Sequence, residues 1–216
     1  TIDNLASKTG FVGPHTFYAM PGRMLVQALS NAKDHGGATG LVLFNNKGEI
    51  VERYPMPVGD VGGAVGDGYG YDIAINPAKN TMLTSSFTGW NNYMMDLGKL
   101  VKDGEAMKRF GSTMVAWDVK AMKPQQVFSV PGAPLEIRWS LNTFMDGMTR
   151  YFDLSNPEAP KQTFAKQTGK QVNMVSQSWD GKRVYVTSSL LENWDKGGPD
   201  NEQFLRAFAW DGKELK

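Results

Sequence analysis

Cysteine is absent from the 216 residues. That one absence removes disulfides, thiolate metal sites and cysteine nucleophiles together, and it is compatible with oxidising or reducing surroundings alike. Histidine is nearly absent too, with His15 and His35 the two present. A charge of one sign is also missing. Lys plus Arg number 23 against 22 for Asp plus Glu, and neither a nucleic-acid surface nor an anionic membrane partner is expected without a basic excess. No apolar run approaches the length of a membrane span, and no leader peptide is visible at Thr1. A mature exported chain would have lost its leader, so the compartment stays open. No Ser-His-Asp arrangement, no His-Glu-x-x-His and no paired carboxylates at helical spacing are present, which leaves hydrolase chemistry without support.

What the chain has is hairpins. From Met174 to Trp194 a short apolar run reaches Trp179, Asp180-Gly181 turns, and Arg183-Val-Tyr-Val-Thr187 returns with strand chemistry. Asp-Gly between two such runs predicts a tight primed turn, because both residues tolerate positive φ. Tyr71-Asp-Ile-Ala-Ile75, the turn Asn76 to Asn80 and Thr81 to Ser86 form a second copy. His15 to Ala19, the turn Met20-Pro-Gly-Arg23 and Met24 to Ser30 form a third. Repetition of this kind predicts a radial β architecture.

Taken in order, Thr1 to Gly13 lacks a clear period and reads as a lead-in. Four strands then fall in residues 11–57 and end at Pro55-Met-Pro57, the content of one propeller blade. The glycine-rich Val58 to Gly70 has no following helix and no Gly-Lys-Ser/Thr, so it reads as a flexible connection between blades rather than a phosphate cradle. A second unit, 70–131, carries an insertion in which Leu97, Leu100, Val101, Met107 and Phe110 predict one or two short helices interrupted by Gly104. A third unit, 134–166, is abbreviated around Ser140 to Asn142 by at least a hairpin. A fourth, 172–216, has a loop from Trp194 to Gln203 and stops at Lys216 where a closing strand is expected. The fold class is therefore all-β, a β-propeller of about four blade-like units with a short helical insertion. Open blade edges at both ends would invite association or homo-oligomerisation.

Several stretches, in order along nearly the whole chain, resemble the selenium-binding protein family, whose bacterial members include methanethiol oxidase. They are His15-Thr with Gly22 and Ala28-Leu-Ser30, Gly70-Tyr-Asp72, Pro134-Leu-Glu-Ile-Arg138, Tyr151 to Pro157, Ser178 to Leu190, and Trp194-Asp-Lys196. The resemblance implies part of a larger propeller of about seven blades, roughly twice this length. It also implies copper held by several histidines, oxidation of methanethiol by dioxygen to formaldehyde, hydrogen sulfide and hydrogen peroxide, and a small thiol and dioxygen as reaction partners. The periplasm is the implied location, with the cytoplasm as alternative. Relative to the family, an N-terminal histidine pair, a stretch near Leu141 and a C-terminal histidine have no counterpart, and neither has the family's selenium-associated cysteine.

One position transfers by motif. His15, in Pro14-His-Thr16, is the candidate copper ligand, since imidazole suits copper; its other reading is a hydrogen-bonded structural residue. His35 matches no ligand motif. Glu136 and Arg138 alternate with Leu135 and Ile137 on one strand, and read either as a charged pair lining the channel or as a salt bridge between blades. The methionines, Met94-Met95 and Met20 with Met24 foremost, read as core filling rather than soft ligands. Trp90-Asn-Asn92 and Trp194-Asp195 fall in loops after strand ends and read as rim packing. Two functions stay open at this point: a copper-dependent oxidoreductase of the methanethiol oxidase type, or a non-catalytic propeller serving as a binding or interaction scaffold.

Overall fold

Within each sheet, strand follows strand hydrogen-bonded antiparallel to its sequence neighbour, and this up-and-down pairing yields sheets that stack face to face as blades. A computed structural model describes residues 2–138, 140–188 and 203–216. The first sheet holds β1 (Phe11–Met20), β2 (Arg23–Asn31), β3 (Gly40–Asn45) and β4 (Ile50–Pro55), in that order. A small ribbon, β5 (Asp60–Val61) with β6 (Ala64–Val65), follows. The second sheet runs from β7 (Ile73–Asn76) through β8 (Thr81–Ser85) and β9 (Thr113–Asp118) to β10 (Lys123–Ser129). The third holds β11 (Pro134–Ile137), β12 (Leu141–Thr143), β13 (Met148–Asp153) and β14 (Lys161–Gln167). The fourth holds β15 (Val172–Gln177), β16 (Arg183–Ser188) and β17 (Leu205–Ala209). The architecture is a β-propeller of four blades whose inner strands are β1, β7, β11 and β15.

Blade stacking explains why these strands do not simply alternate. Leu25 to Ser30 of β2 are all buried, because a sheet covered on both faces has no solvent side. One face of the first blade meets the second through Leu25, Leu43, Met56, Ile73, Met82 and Trp117. The other face is covered by α1 (Ile2–Thr9) through Leu5, against Phe11, Ala28 and Val42. The third and fourth blades meet through Tyr151, Val172, Val184, Val186 and Leu215, with Trp210 stacked on Tyr151 at a ring separation of 3.9 Å.

The structure differs from the sequence expectations at five places. The lead-in is the helix α1 rather than irregular chain; among its described side chains only Leu5 and Thr9 are buried, too few for a readable period. The glycine-rich connection is held rather than flexible. It contains the β5–β6 ribbon, and Asp67 Oδ2 accepts from the Ser86 and Thr113 hydroxyls and the Ser112 and Thr113 amides. The inserted segment forms three helices, α2 (Trp90–Tyr93), α3 (Leu97–Leu100) and α4 (Gly104–Lys108), and Gly104 opens α4 instead of interrupting a helix, because Asp103 caps it. The third blade, expected to lack a hairpin, completes four strands by shortening: β12 has only 3 residues and follows β11 across a tight turn, with the Arg138 amide donating to the Ser140 carbonyl. The Asp180-Gly181 turn is wider than a two-residue primed turn, with the Gly181 amide donating to the Ser178 carbonyl and the Ser178 amide to the Arg183 carbonyl. At the chain's end Leu215 bridges to Trp210 and Lys216 pairs with Ala209, the start of the expected fourth strand. Of the loop from Trp194 to Gln203 only Gln203 is described, and Ser189, Leu190 and the Trp194-Asp-Lys196 motif lie outside the described residues.

Candidate functional site

Polar side chains from the inner strands meet around the propeller's centre, and the site starts from an irregularity in β1. The β1–β2 register shifts between Pro14 and Thr16, which pair with Ala28 and Gln27. His15 is the extra residue of a β-bulge, the device by which a strand re-aims a side chain. Its ring packs on Tyr71, with centroids 4.1 Å apart, and its Nδ1 lies 3.0 Å from the Tyr71 carbonyl and 3.1 Å from Thr16 Oγ1. A carbonyl only accepts, so in the neutral ring Nδ1 carries the proton and Nε2 keeps its lone pair. His15 is exposed as a residue, yet desolvation of its ring outweighs the Tyr71 carbonyl and the Asp72 carboxylate and holds the pKa below the ordinary histidine value. The neutral imidazole is the form that binds metals.

Beside His15, Thr16 Oγ1 donates to Asp72 Oδ1 at 2.8 Å. Asp72, 3% exposed, is satisfied on its other oxygen by the Ile137 amide at 2.7 Å and Arg138 Nη1 at 3.1 Å. Arg138 Nη2 in turn donates to Glu136 Oε1 at 2.6 Å, and Glu136 Oε2 accepts from the Val175 amide at 3.4 Å. One polar chain thus links all four blades: Thr16 of the first, Asp72 at the head of the second, Glu136 and Arg138 of the third, and Val175 of the fourth. Burial pushes the Glu136 carboxyl up to about 7, with Asp72 adding to the shift, while Arg138 and the Val175 amide oppose it. Both carboxylates are buried, whereas the Arg138 side chain is 46% exposed. It reaches a cavity of about 290 Å³ between β1, β7 and β11 that Thr16, Phe17, Tyr18 and Ile137 also line.

The other candidates lie elsewhere. His35 is exposed, has φ 58° and packs its ring at a tilt on Trp90 at 5.4 Å, so its loop and the α2 loop brace each other. Met20 packs on the core between the first two blades and Met95 beneath the inserted helices, while Met94 is exposed. Among the described residues no three His, Cys, Asp or Glu side chains converge as a metal site would need. His15 therefore fits one position of a copper site and the described residues do not complete it. Sequence reasoning missed Asp72 and Thr16, although Pro14 inside a strand signals a bulge and Asp72 sits in the Gly70-Tyr-Asp motif.

No family model matches the chain. It is 53% identical over 274 residues to a methanethiol oxidase of Hyphomicrobium sp., covering all of this chain and 62% of that protein. It is 47% identical over 282 residues to a methanethiol oxidase of Ruegeria pomeroyi, covering all of this chain and 65% of that one. The chain thus spans a little under two thirds of the length of these relatives. Both aligned spans exceed 216 residues, so the relatives carry residues inside them with no counterpart here. Among solved structures, a hypothetical selenium-binding protein from Sulfolobus tokodaii matches with a TM-score of 0.58 at 17% identity, covering 99% of this chain and 67% of its own. That likeness shows the fold.

Proposed function

Because this chain is a relative of the methanethiol oxidases along its whole length, we propose that it carries part of the catalytic propeller of such an oxidase. Methanethiol, dioxygen and water would become formaldehyde, hydrogen sulfide and hydrogen peroxide, a set in which every atom balances. The observation that carries the proposal is the 53% and 47% identity to two proteins of that name. The bulge that turns His15 out of register supports it.

Copper, when bound, supplies the one-electron chemistry with dioxygen that ordinary side chains lack. His15 would hold it through Nε2, together with ligands beyond the described residues. The chain's own residues have definite tasks. The Tyr71 carbonyl fixes the tautomer of His15, as outer-shell acceptors do for metal-bound imidazoles. Asp72 holds Thr16 and, through the Ile137 amide and Arg138, ties that wall of the centre to the third blade. The buried faces of β7 and β11 keep bulk water behind the wall. We place the protein in the periplasm, which cell fractionation would check.

The test uses full-length protein. Copper content and peroxide release on adding methanethiol should both fall on His15→Ala. Unchanged copper would remove His15 from the site. The second reading, a non-catalytic scaffold of the same fold, is favoured by the lone imidazole; copper-reconstituted protein that stays inert with methanethiol would leave that reading standing.

A further inference from the structure

The cavity between β1, β7 and β11 has one charged residue on its wall, Arg138. Its guanidinium is not used up. Both Nη1 hydrogens are engaged, by Asp72 Oδ2 and the Ile137 carbonyl, and one Nη2 hydrogen by Glu136 Oε1. The Nε–H and the second Nη2 hydrogen have no partner among the described residues, on a side chain that is 46% exposed. The two carboxylates lie behind the guanidinium, at 4% and 7% exposure, so the positive group is the nearer one to anything in the cavity. The rest of the wall is apolar or already satisfied. Ile73 and Ile137 form the floor, Tyr18 spends its hydroxyl on the Ile75 carbonyl, and Phe17 stands 56% exposed at the rim. A small cavity with an apolar floor, an aromatic rim and two free cationic N–H groups suits a small soft monoanion with a short apolar tail. Thr16, which lines the same cavity, adjoins His15.

We propose that Arg138 seats the sulfur of a small alkyl thiol, bound as the thiolate, in the cavity between β1, β7 and β11. The inference rests on the oxidase reading for the identity of the thiol, and on the cavity alone for the binding. The thiol proton is given up to solvent on binding. Asp72 and Glu136 are positioning residues that aim the guanidinium, and the sulfur arrives on the wall that carries His15.

Titrating copper-free protein with methanethiol without oxygen, and following the Arg138 Nε–H by NMR, tests this without turnover. A saturable shift that thiocyanate competes away is expected. Arg138→Met should weaken methanethiol at least about tenfold, the loss of a charge-assisted contact. Measured at about pH 9, where the Glu136 carboxyl is ionised, Glu136→Gln should tighten it by about threefold or more, since it removes a nearby negative charge; a merely structural role predicts no gain. Phe17→Ala, at an exposed position that folding should tolerate, is expected to weaken binding about threefold through lost apolar contact. Unchanged affinity in Arg138→Met, or no gain in Glu136→Gln, or binding that thiocyanate leaves untouched, would each overturn the proposal. Should Arg138→Met not fold, the Glu136→Gln and Phe17→Ala arms decide. Protein that binds the thiol here yet never oxidises it defeats the oxidase reading alone, and an active enzyme without the Arg138 shift defeats this one alone.

Discussion

The seams between blades and the rim around the centre join the same blades by opposite means. In the seam of the first two blades, Leu25, Leu43, Met56, Ile73 and Met82 surround Trp117, which is 1% exposed and donates its indole N–H to Thr84 Oγ1 at 2.9 Å. At the rim the blades meet through Thr16, Asp72, Arg138 and Glu136, with a net formal charge of one negative when both carboxylates are ionised. Apolar seams hold because burial is non-directional and grows with area. A buried ionic chain is weak as glue, since desolvation consumes most of the attraction, but it is costly to interrupt. The seams therefore carry the stability, and the rim fixes where particular atoms sit.

The largest expected effect falls on the seam. Trp117→Ala should destabilise by about 3–5 kcal/mol through lost burial and the cavity left behind, read as a lower urea midpoint. Trp117→Phe, which keeps a ring and loses the bond to Thr84, should cost less. A rim truncation that matched Trp117→Ala would erase the distinction between the two regions.

At the rim, Asp72→Ala leaves the buried Ile137 amide without an acceptor and Arg138 with a single carboxylate. Roughly 2 kcal/mol is expected, because the amide loses its acceptor while Arg138, 46% exposed, keeps Glu136. The signature that separates it from a seam mutation is local: the His15 ring resonances should move with Asp72→Ala and stay in place with Trp117→Phe.

Glu136 sharpens the comparison through pH. Its folded-state pKa, about 7, lies above the ordinary 4.5, so the native state keeps a proton that the unfolded chain has already released. Stability from this group is accordingly full below about 4.5, falls as pH rises through the window to 7, and is lost above it. Glu136→Gln should match the parent near pH 4 and exceed it by on the order of 2–3 kcal/mol at about pH 8. A difference between the two proteins that does not change with pH would mean that the carboxyl titrates normally.

The hairpins were legible in the sequence and the rim was not. The three hairpins are written in neighbours, with Pro21-Gly22, Asn76-Pro77 and Asp180-Gly181 each between apolar runs, and each appears as paired strands. The rim depends on contacts between residues 56 and 66 positions apart, Thr16 to Asp72 and Asp72 to Arg138; local pattern holds no information on which side chains face each other at that range. Glu136 and Arg138 could be placed on one strand, but their common partner Asp72 belongs to another blade. The third blade reads as abbreviated in the sequence because a three-residue strand, β12, is too short to show a period of two.

The smallest effect belongs to neither seam nor rim but to the inserted helices, which test how far the blades' cooperativity extends. Asp103 Oδ1 accepts from the Glu105 and Ala106 amides at 3.0 Å each, capping α4. Asp103→Ala should cost about 1 kcal/mol for the lost cap. Yet α4 is also tied, from outside the cap, to α2 and to the chain leading out of β8: Asn92 Nδ2 donates to the Ala106 carbonyl at 3.0 Å, and Thr88 Oγ1 to the Arg109 carbonyl at 2.7 Å. If those ties transmit the loss, the urea midpoint of the whole molecule shifts with the helix. If they do not, amide exchange quickens in α4 alone while the Trp117 seam keeps its protection. The second outcome is expected, because Leu97, Leu100 and Ala106 pack in a cluster separate from the one around Trp117.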